Sequence, residues 1–288
     1  MTRRHVLRVL SAVVATLLAV GATAVATGRQ PTPGQPALQG LKTGDARIWY
    51  LGHCGFAVRT ERHLLVFDYQ ERRDGPQPRT RPTTPGLDRS WVDPVEIARD
   101  RVRVFTSHAH DDHFDPVTFA WRKAVPDIAY FFGWKVADDP AYHSLVGPRA
   151  THAADGLEIA TINSHHSGVP EVAFLVKVDG LVIYHNGDYR MDYQADFPYL
   201  QQHARGVDLA FVPGVSDEKF QYALQNRDIF ERFHPRAVFP MHAEAGAPMY
   251  REFAAAFRAR LPGLPVMVPE KLGDRFEYRG GRISRSGS

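Results

Sequence analysis

The residues best able to do chemistry stand together at Ser107-His108-Ala109-His110-Asp111-Asp112-His113, directly after the apolar stretch that ends at Thr106. The pattern His-x-His-x-Asp-His puts four potential metal ligands into six consecutive positions. On an extended chain His108 and His110 point the same way, because side chains repeat every two residues. A turn after them can bring Asp112 and His113 around a neighbouring point. Imidazole and carboxylate together suit zinc, iron or manganese rather than calcium or magnesium. The plain alternative, a polar loop with histidines by chance, is disfavoured by the spacing.

Four ligands in one loop cannot complete two metal shells, and further donors follow downstream. Asn163-Ser164-His165-His166-Ser167, His185-Asn186-Gly187-Asp188 and Phe239-Pro240-Met241-His242 each close an expected strand. Strand carboxyl ends are where α/β sites assemble. Any one of these residues alone is more often a satisfied core or surface group than a ligand; in this order they form a coherent set.

The elements that must position them begin at Ala46. Short apolar runs at 48–51, 55–58 and 63–67 read as a meander of strands. Residues 71–92, rich in Pro, Arg, Asp and Gly, read as a long surface loop, and Asp93-Pro94 as a helix start. Further strands are expected at 101–106, 157–162, 172–178, 181–185, 207–212 and 236–240, and helices at 116–123, 217–232 and 249–260. The loop at 71–92 and the segment at 133–156 are the expected walls of a cleft. Arg72, Arg73, Arg79 and Arg81 in the first of these could meet an anionic substrate, but a solvated loop face is the preferred reading. Meandering strands followed by strand–helix alternation indicate an α/β (α+β) domain of stacked sheets covered by helices.

The chain has 288 residues, 44% hydrophobic and 23% charged, which excludes a disordered or fibrous protein. Residues 1–26 carry Arg3, Arg4 and Arg8, an apolar stretch from Val9 to Ala26, and small residues at Ala22-Thr23-Ala24 and Ala24-Val25-Ala26. They read as a cleavable export signal of twin-arginine type, with an uncleaved N-terminal anchor facing outward as the alternative. The expectation is therefore a periplasmic or extracellular protein whose mature domain does not insert into the membrane. Without those three of its 35 basic residues the chain holds 32 of each sign. That balance argues against a nucleic-acid partner and leaves a small-molecule substrate. Residues 27–44 read as a Pro/Gly-rich linker and 45–288 as one catalytic domain. The single Cys54 excludes an intramolecular disulfide, and a buried small hydrophobe is its preferred reading. Oligomeric state leaves no trace in the sequence.

From about Ala46 to Lys271 the chain resembles the metallo-β-lactamase superfamily of hydrolases. The resemblance is carried by Asp68 closing an early strand, His108-x-His110-x-Asp112-His113, a histidine near 166, Gly187-Asp188 and His242. It implies a four-layer αββα metallo-β-lactamase sandwich with two divalent transition metals at one edge, zinc first, manganese or iron as alternatives. One metal would be held by His108, His110 and His166, the other by Asp112, His113 and His242. Asp188 would bridge them and Asp68 would steady the ligands from behind. Leu51-Gly52-His53-Cys54-Gly55-Phe56 is further similar to the branch of ascorbate-6-phosphate lactonase-like proteins and, more distantly, N-acylphosphatidylethanolamine phospholipase D.

Three departures from that pattern stand out. His165 and His166 are adjacent; His166, followed by Ser167, is preferred as the ligand. Tyr189 replaces a common Thr, and His185 and His53 are extra histidines whose roles stay open. The implied reaction is metal-dependent hydrolysis of an ester, lactone, amide or phosphodiester bond by a dinuclear-metal-bound hydroxide, with Asp112 orienting the water and taking its proton. Zinc β-lactamases place a cysteine where Asp188 stands, and Cys54 is distant in sequence, which disfavours that activity. The Glu expected of flavodiiron oxidoreductases is replaced by His110. A mononuclear iron enzyme resembling persulfide dioxygenase, and a non-catalytic metal-binding module, are the alternatives.

Overall fold

Between Ala46 and Phe67 nearly every residue is buried, and the side chains divide by alternation. Ile48, Tyr50, Phe56, Val58, Leu65 and Phe67 face one apolar cluster. Trp49, Leu51, Ala57, Leu64 and Val66 face another. Strands apolar on both faces belong inside a layered protein, not on its surface. The computed structural model describes residues 40–190 and 192–286. The expected signal at 1–26 and the linker as far as residue 39 lie outside the described residues, and so does the side chain of His166.

In chain order the elements are β1 (Ala46–Gly52), β2 (Gly55–Arg59), β3 (His63–Phe67), the short β4 (Arg73–Asp74) and β5 (Gln77–Pro78), β6 (Arg101–Thr106), α1 (Val117–Ala120), β7 (Ile128–Phe132), β8 (Tyr142–Ser144) and β9 (Arg149–Ala154). There follow β10 (Leu157–His166), β11 (Val169–Val178), β12 (Leu181–His185), α2 (Tyr193–His203), β13 (Leu209–Pro213), α3 (Gln221–Phe233), β14 (Ala237–Met241), α4 (Pro248–Arg260), β15 (Arg275–Arg279) and β16 (Arg282–Arg285). One sheet runs β16-β15-β1-β2-β3-β6-β7-β8 and the other β14-β13-β12-β11-β10-β9. The core between them is built from residues such as Phe67, Phe105, Phe174, Phe211 and Phe239. Phe197 and Leu200 of α2, Phe230 and Phe233 of α3, and Phe253 and Phe257 of α4 cover the outside of the second sheet. Trp121, Ile97 and Leu87, from short turns and loop, cover the first. This is the expected four-layer αββα sandwich, with one thin outer layer. Among the described residues, no helix is long and apolar enough to cross a membrane.

Several expected elements differ. The helix expected at Asp93-Pro94 is a run of turns. Asp93 Oδ1 accepts from the Val95 amide at 3.0 Å, and the next backbone bonds are long or three-residue ones before β6 begins. The helix expected from 217 starts at Gln221, because Asp217 closes a turn on Lys219 and Phe220 first. Residues 133–156 are not an irregular wall but contribute β8 and β9, edge strands of the two sheets. The helix α2 was hidden by Pro198 within it.

Within each sheet, the strands that carry the chemistry run parallel: β3 beside β6, and β12 beside β13 beside β14. Their carboxyl ends therefore lie on one rim. There the Val172 amide donates to Ser107 O at 3.1 Å and His108 bridges to Glu171, joining the exit of β6 to the opposite sheet. Glycine makes this approach possible. A Cβ on Gly133 would stand 2.0 Å from Ser107 O. Gly133→Ala should therefore destabilise the fold by about 1–3 kcal/mol, the range for overpacking a filled core, seen as a lower denaturation midpoint. An unchanged midpoint would mean that the Ser107 strand end can move.

Candidate metal centre

Asp68 directly follows β3 with φ +41 and is fully buried. Its Oδ1 accepts from the Ser107 amide at 2.7 Å, and its Oδ2 from Ser107 Oγ at 2.7 Å and His113 Nδ1 at 2.8 Å. Because Nδ1 of His113 is engaged there, its Nε2 is left to face Asp188 Oδ1 at 3.3 Å. His108, also buried, places Nε2 2.9 Å from His110 Nδ1 and 4.0 Å from Asp188 Oδ2. His242 directly follows β14 with φ +74 and brings Nε2 within 3.1 Å of both Asp188 oxygens.

The six expected ligands whose side chains are described thus meet at one rim. One donor atom of each of His108, His110 and Asp112 lies within 4.8 Å of the others, and the same holds for His53, Asp112, His113 and His242. Asp188 sits between the two groups. Asp112 belongs to both, whereas the resemblance implied that it serves only one. His165 is exposed and joins neither group. His53 does join, its Nε2 3.3 Å from Asp112 Oδ2.

Cys54 is buried as expected, yet its Sγ lies within 4.8 Å of donor atoms of His113 and Asp188. Its distance in sequence was no guide to its distance in space, because the β1–β2 turn opens onto the same rim. Burial pushes the thiol up to about 12, so it is protonated at neutral pH.

His185 is a fixed core residue. Its Nε2 donates to Cys54 O at 3.0 Å, its Nδ1 accepts from the Gly187 amide at 3.2 Å, and its ring stacks on Phe67. Both nitrogens are used, which leaves none for a metal. Tyr189 turns away into the helical layer, its hydroxyl donating to Asp196 Oδ2 at 2.5 Å. The loop it leaves is held by Asn186, whose Nδ2 donates to Tyr189 O at 2.9 Å, and by Tyr222, whose hydroxyl donates to Asp188 O at 2.8 Å. Gly187 has φ +52, and a Cβ there would come 2.5 Å from Ser107 Cβ.

Sequence reasoning missed Glu171 altogether. It is fully buried beside this rim, takes a hydrogen bond from Ser164 Oγ, and is pushed up to about 7 by burial. A lone Glu at the start of an apolar strand carries no motif by which to find it.

An open cleft of about 460 Å³ reaches the site, lined by His53, Asp112 and His242 at its floor. Arg73 and Gly75 from the 71–92 loop form one wall, as expected; Glu244 and its neighbours after β14 form the other, in place of the expected 133–156. Arg73 Nη2 donates to Asp111 Oδ2 at 2.8 Å. Arg79 is no solvated loop residue either: its guanidinium donates to Leu51 O and Gln70 O and stacks on Trp91.

The residues fit a metal ion. The donors are imidazole and carboxylate, and the buried Nε2 of His113 makes no hydrogen bond. Burial and the neighbouring His113 push His108 down to about 3, so it is a neutral donor.

Residues 44–242 match the model of the beta-lactamase superfamily domain. The chain is 26% identical over 219 residues to a UPF0173 metal-dependent hydrolase of Thermococcus kodakarensis, covering 72% of this chain and 88% of that one. It is 29% identical over 254 residues to a UPF0173 metal-dependent hydrolase of Opitutus terrae, covering 77% and 96%. In fold it is similar to Igni18, a metallo hydrolase from the archaeon Ignicoccus hospitalis, with a TM-score of 0.56 at 18% identity over 82% of this chain and 99% of that one.

Without metal, this rim stores a proton. Burial lowers the pKa of His113, but the Asp188 and Asp68 carboxylates outweigh it and hold the ring well above its ordinary 6.5. A group raised in the folded state contributes stability that is complete below its unfolded pKa and is lost as pH rises through the folded one. Metal-free wild type should therefore exceed metal-free His113→Gln by about 1.5–3 kcal/mol, the scale of hydrogen bonds to a charged group, at pH below 6.5. The gap between their denaturation midpoints should narrow as pH rises past neutrality. A gap that widens with pH would mean the ring is neutral.

Proposed function

We propose that this chain, which belongs to the beta-lactamase superfamily, is a metal-dependent hydrolase that cleaves an ester, lactone or phosphodiester bond in a small molecule with a pair of transition metals. The observation that carries the reading is the place of Asp188, whose two oxygens face His108 on one side and His113 and His242 on the other. His108 and His110 would hold one metal, with the strand end at His166 completing it. Asp112, His113 and His242 would hold the second, and Asp188 would serve both. Zinc, manganese and iron all accept this donor set.

Bound there, the metals would lower the pKa of a water toward neutrality and polarise the scissile carbonyl or phosphoryl group. The remaining work falls to the chain. Burial raises the pKa of Asp112, but the neighbouring His53 and His113 outweigh it and keep the carboxylate ionised. Its side chain is 32% exposed, on the cleft floor, where it can accept a proton from an attacking water. Asp68 fixes the His113 tautomer, and Tyr222 holds the Asp188 backbone. Arg73, already bonded to Asp111, shapes the wall more than it attracts charge. The Arg3-Arg4 pair and the apolar run behind it support export of the domain to the periplasm or beyond.

Metal analysis paired with a screen of a lactone, an aryl ester, bis-p-nitrophenyl phosphate and a cephalosporin tests this reading. About two transition-metal ions per chain are expected, the number of a bridged site, with turnover of a lactone, ester or phosphodiester. His108→Ala and Asp188→Ala should lose metal and lower turnover by about 10²–10³ or more, the scale of removing a principal electrostatic stabiliser. Full turnover in either variant would overturn the reading.

A further inference from the structure

We propose that His53 is a ligand, a further protein donor beside Asp188 to the metal position formed by Asp112, His113 and His242; the inference rests on the metal-dependent reading above. No expected ligand set includes it, yet the β1–β2 turn delivers it to the centre of that group. Its ring lies 4.9 Å from that of His242 and 5.5 Å from that of His113, and its Nε2 is 3.3 Å from Asp112 Oδ2. One donor atom from each of the four residues falls within 4.8 Å of the others.

The bonding around the ring singles it out among the buried histidines. The His53 side chain is only 8% exposed, and neither of its nitrogens makes a hydrogen bond. A buried imidazole ordinarily satisfies at least one nitrogen. His63 does so through Asp179 and Asp155 O, and His185 through Cys54 O and the Gly187 amide. His53 has the Asp112 carboxylate and the candidate metal position before it. The 3.3 Å separation of Nε2 from Asp112 Oδ2 is short enough for both groups to face one shared ion.

The backbone is built to hold this orientation. His53 has φ +48, a left-handed conformation that non-glycine residues seldom adopt and that clusters at functional sites. Its amide donates to Asp74 Oδ1 at 3.1 Å, and its carbonyl accepts from the His242 amide at 3.3 Å. Two residues in the same strained region, His53 and His242, are thus bonded to each other through the main chain. The same Asp74 receives the Ala245 amide on Oδ2 at 3.0 Å, which ties the turn to the segment after β14.

Cobalt(II) titration of the metal-free full chain tests the proposal, reading bound cobalt per chain, affinity and the visible d–d spectrum. His53→Ala should weaken one cobalt position by at least about tenfold, the lower end of what even an outer partner of a ligand contributes, and should change the spectrum. His53→Gln keeps a donor able to reach Asp112 but lacks the imidazole, and should show the same loss. Equal affinity and spectrum in both variants would overturn the proposal. Recovery by Gln of what Ala loses would also overturn it, because His53 would then act only by positioning Asp112. Should the Ala variant fail to fold without metal, as its thermal midpoint would reveal, the Gln variant decides. The number of cobalt ions bound by wild type bears on the two-metal reading alone; the difference between wild type and variants bears on His53.

Discussion

One buried carboxylate organises the rim. Asp68 has no exposure to water, and a charge so placed is tolerated only when its oxygens are fully engaged. It engages them with the Ser107 amide, the Ser107 hydroxyl and the His113 ring. These bonds draw the end of β6 against the end of β3 and orient the His113 imidazole. The donors that follow Ser107 in sequence inherit their direction from that contact. A neutral side chain of the same shape would accept fewer of these bonds and would no longer favour positive charge beyond the ring.

The second constraint is distance between backbones. Two sheets pack face to face with their side chains filling the space between them, so strand ends from different sheets ordinarily stay apart. Here Ser107 comes close to Val172 and Gly187 of the other sheet and to Gly133 beside it in its own, with no side chain at the two glycines to keep them apart. The strained conformations of His53, Asp68 and His242 belong to the same economy of space. Each ends or follows a strand, and each turns its side chain back toward the rim instead of along the sheet.

Much of this was legible in the sequence. Runs apolar on both faces located β1 to β3, β6 and β10 to β14, because double burial leaves a plain signature. The order of Asp68, His108 to His113, Asp188 and His242 singled out side chains that do meet at one rim, because imidazole and carboxylate at successive strand ends form a recognisable pattern. What escaped had physical reasons. Pro198 interrupts the helical pattern of α2, whose Asp192 cap and packing against the second sheet restore it. Asp93-Pro94 has the chemistry of a helix start, but β6 begins too soon for a helix to propagate. Cys54 and Glu171 carry no local pattern, and only the meeting of the sheets places them beside the donors. His185, whose role the sequence leaves open, has both its nitrogens bonded within the core.

The pairing of β1 with β15 has a consequence for how the molecule is made. Ala46 lies opposite Tyr278, so the first sheet is completed only by residues far along the chain from its first strand. Until then β1 is an edge strand, with its unpaired backbone and the buried ring of Phe276 still to come. Contacts of such long sequence separation slow folding and prolong the exposure of apolar strands. The chain therefore emerges with the His108 to His113 segment long before the sheet that supports it can close, and that sheet waits on a late pairing of β15 with β1.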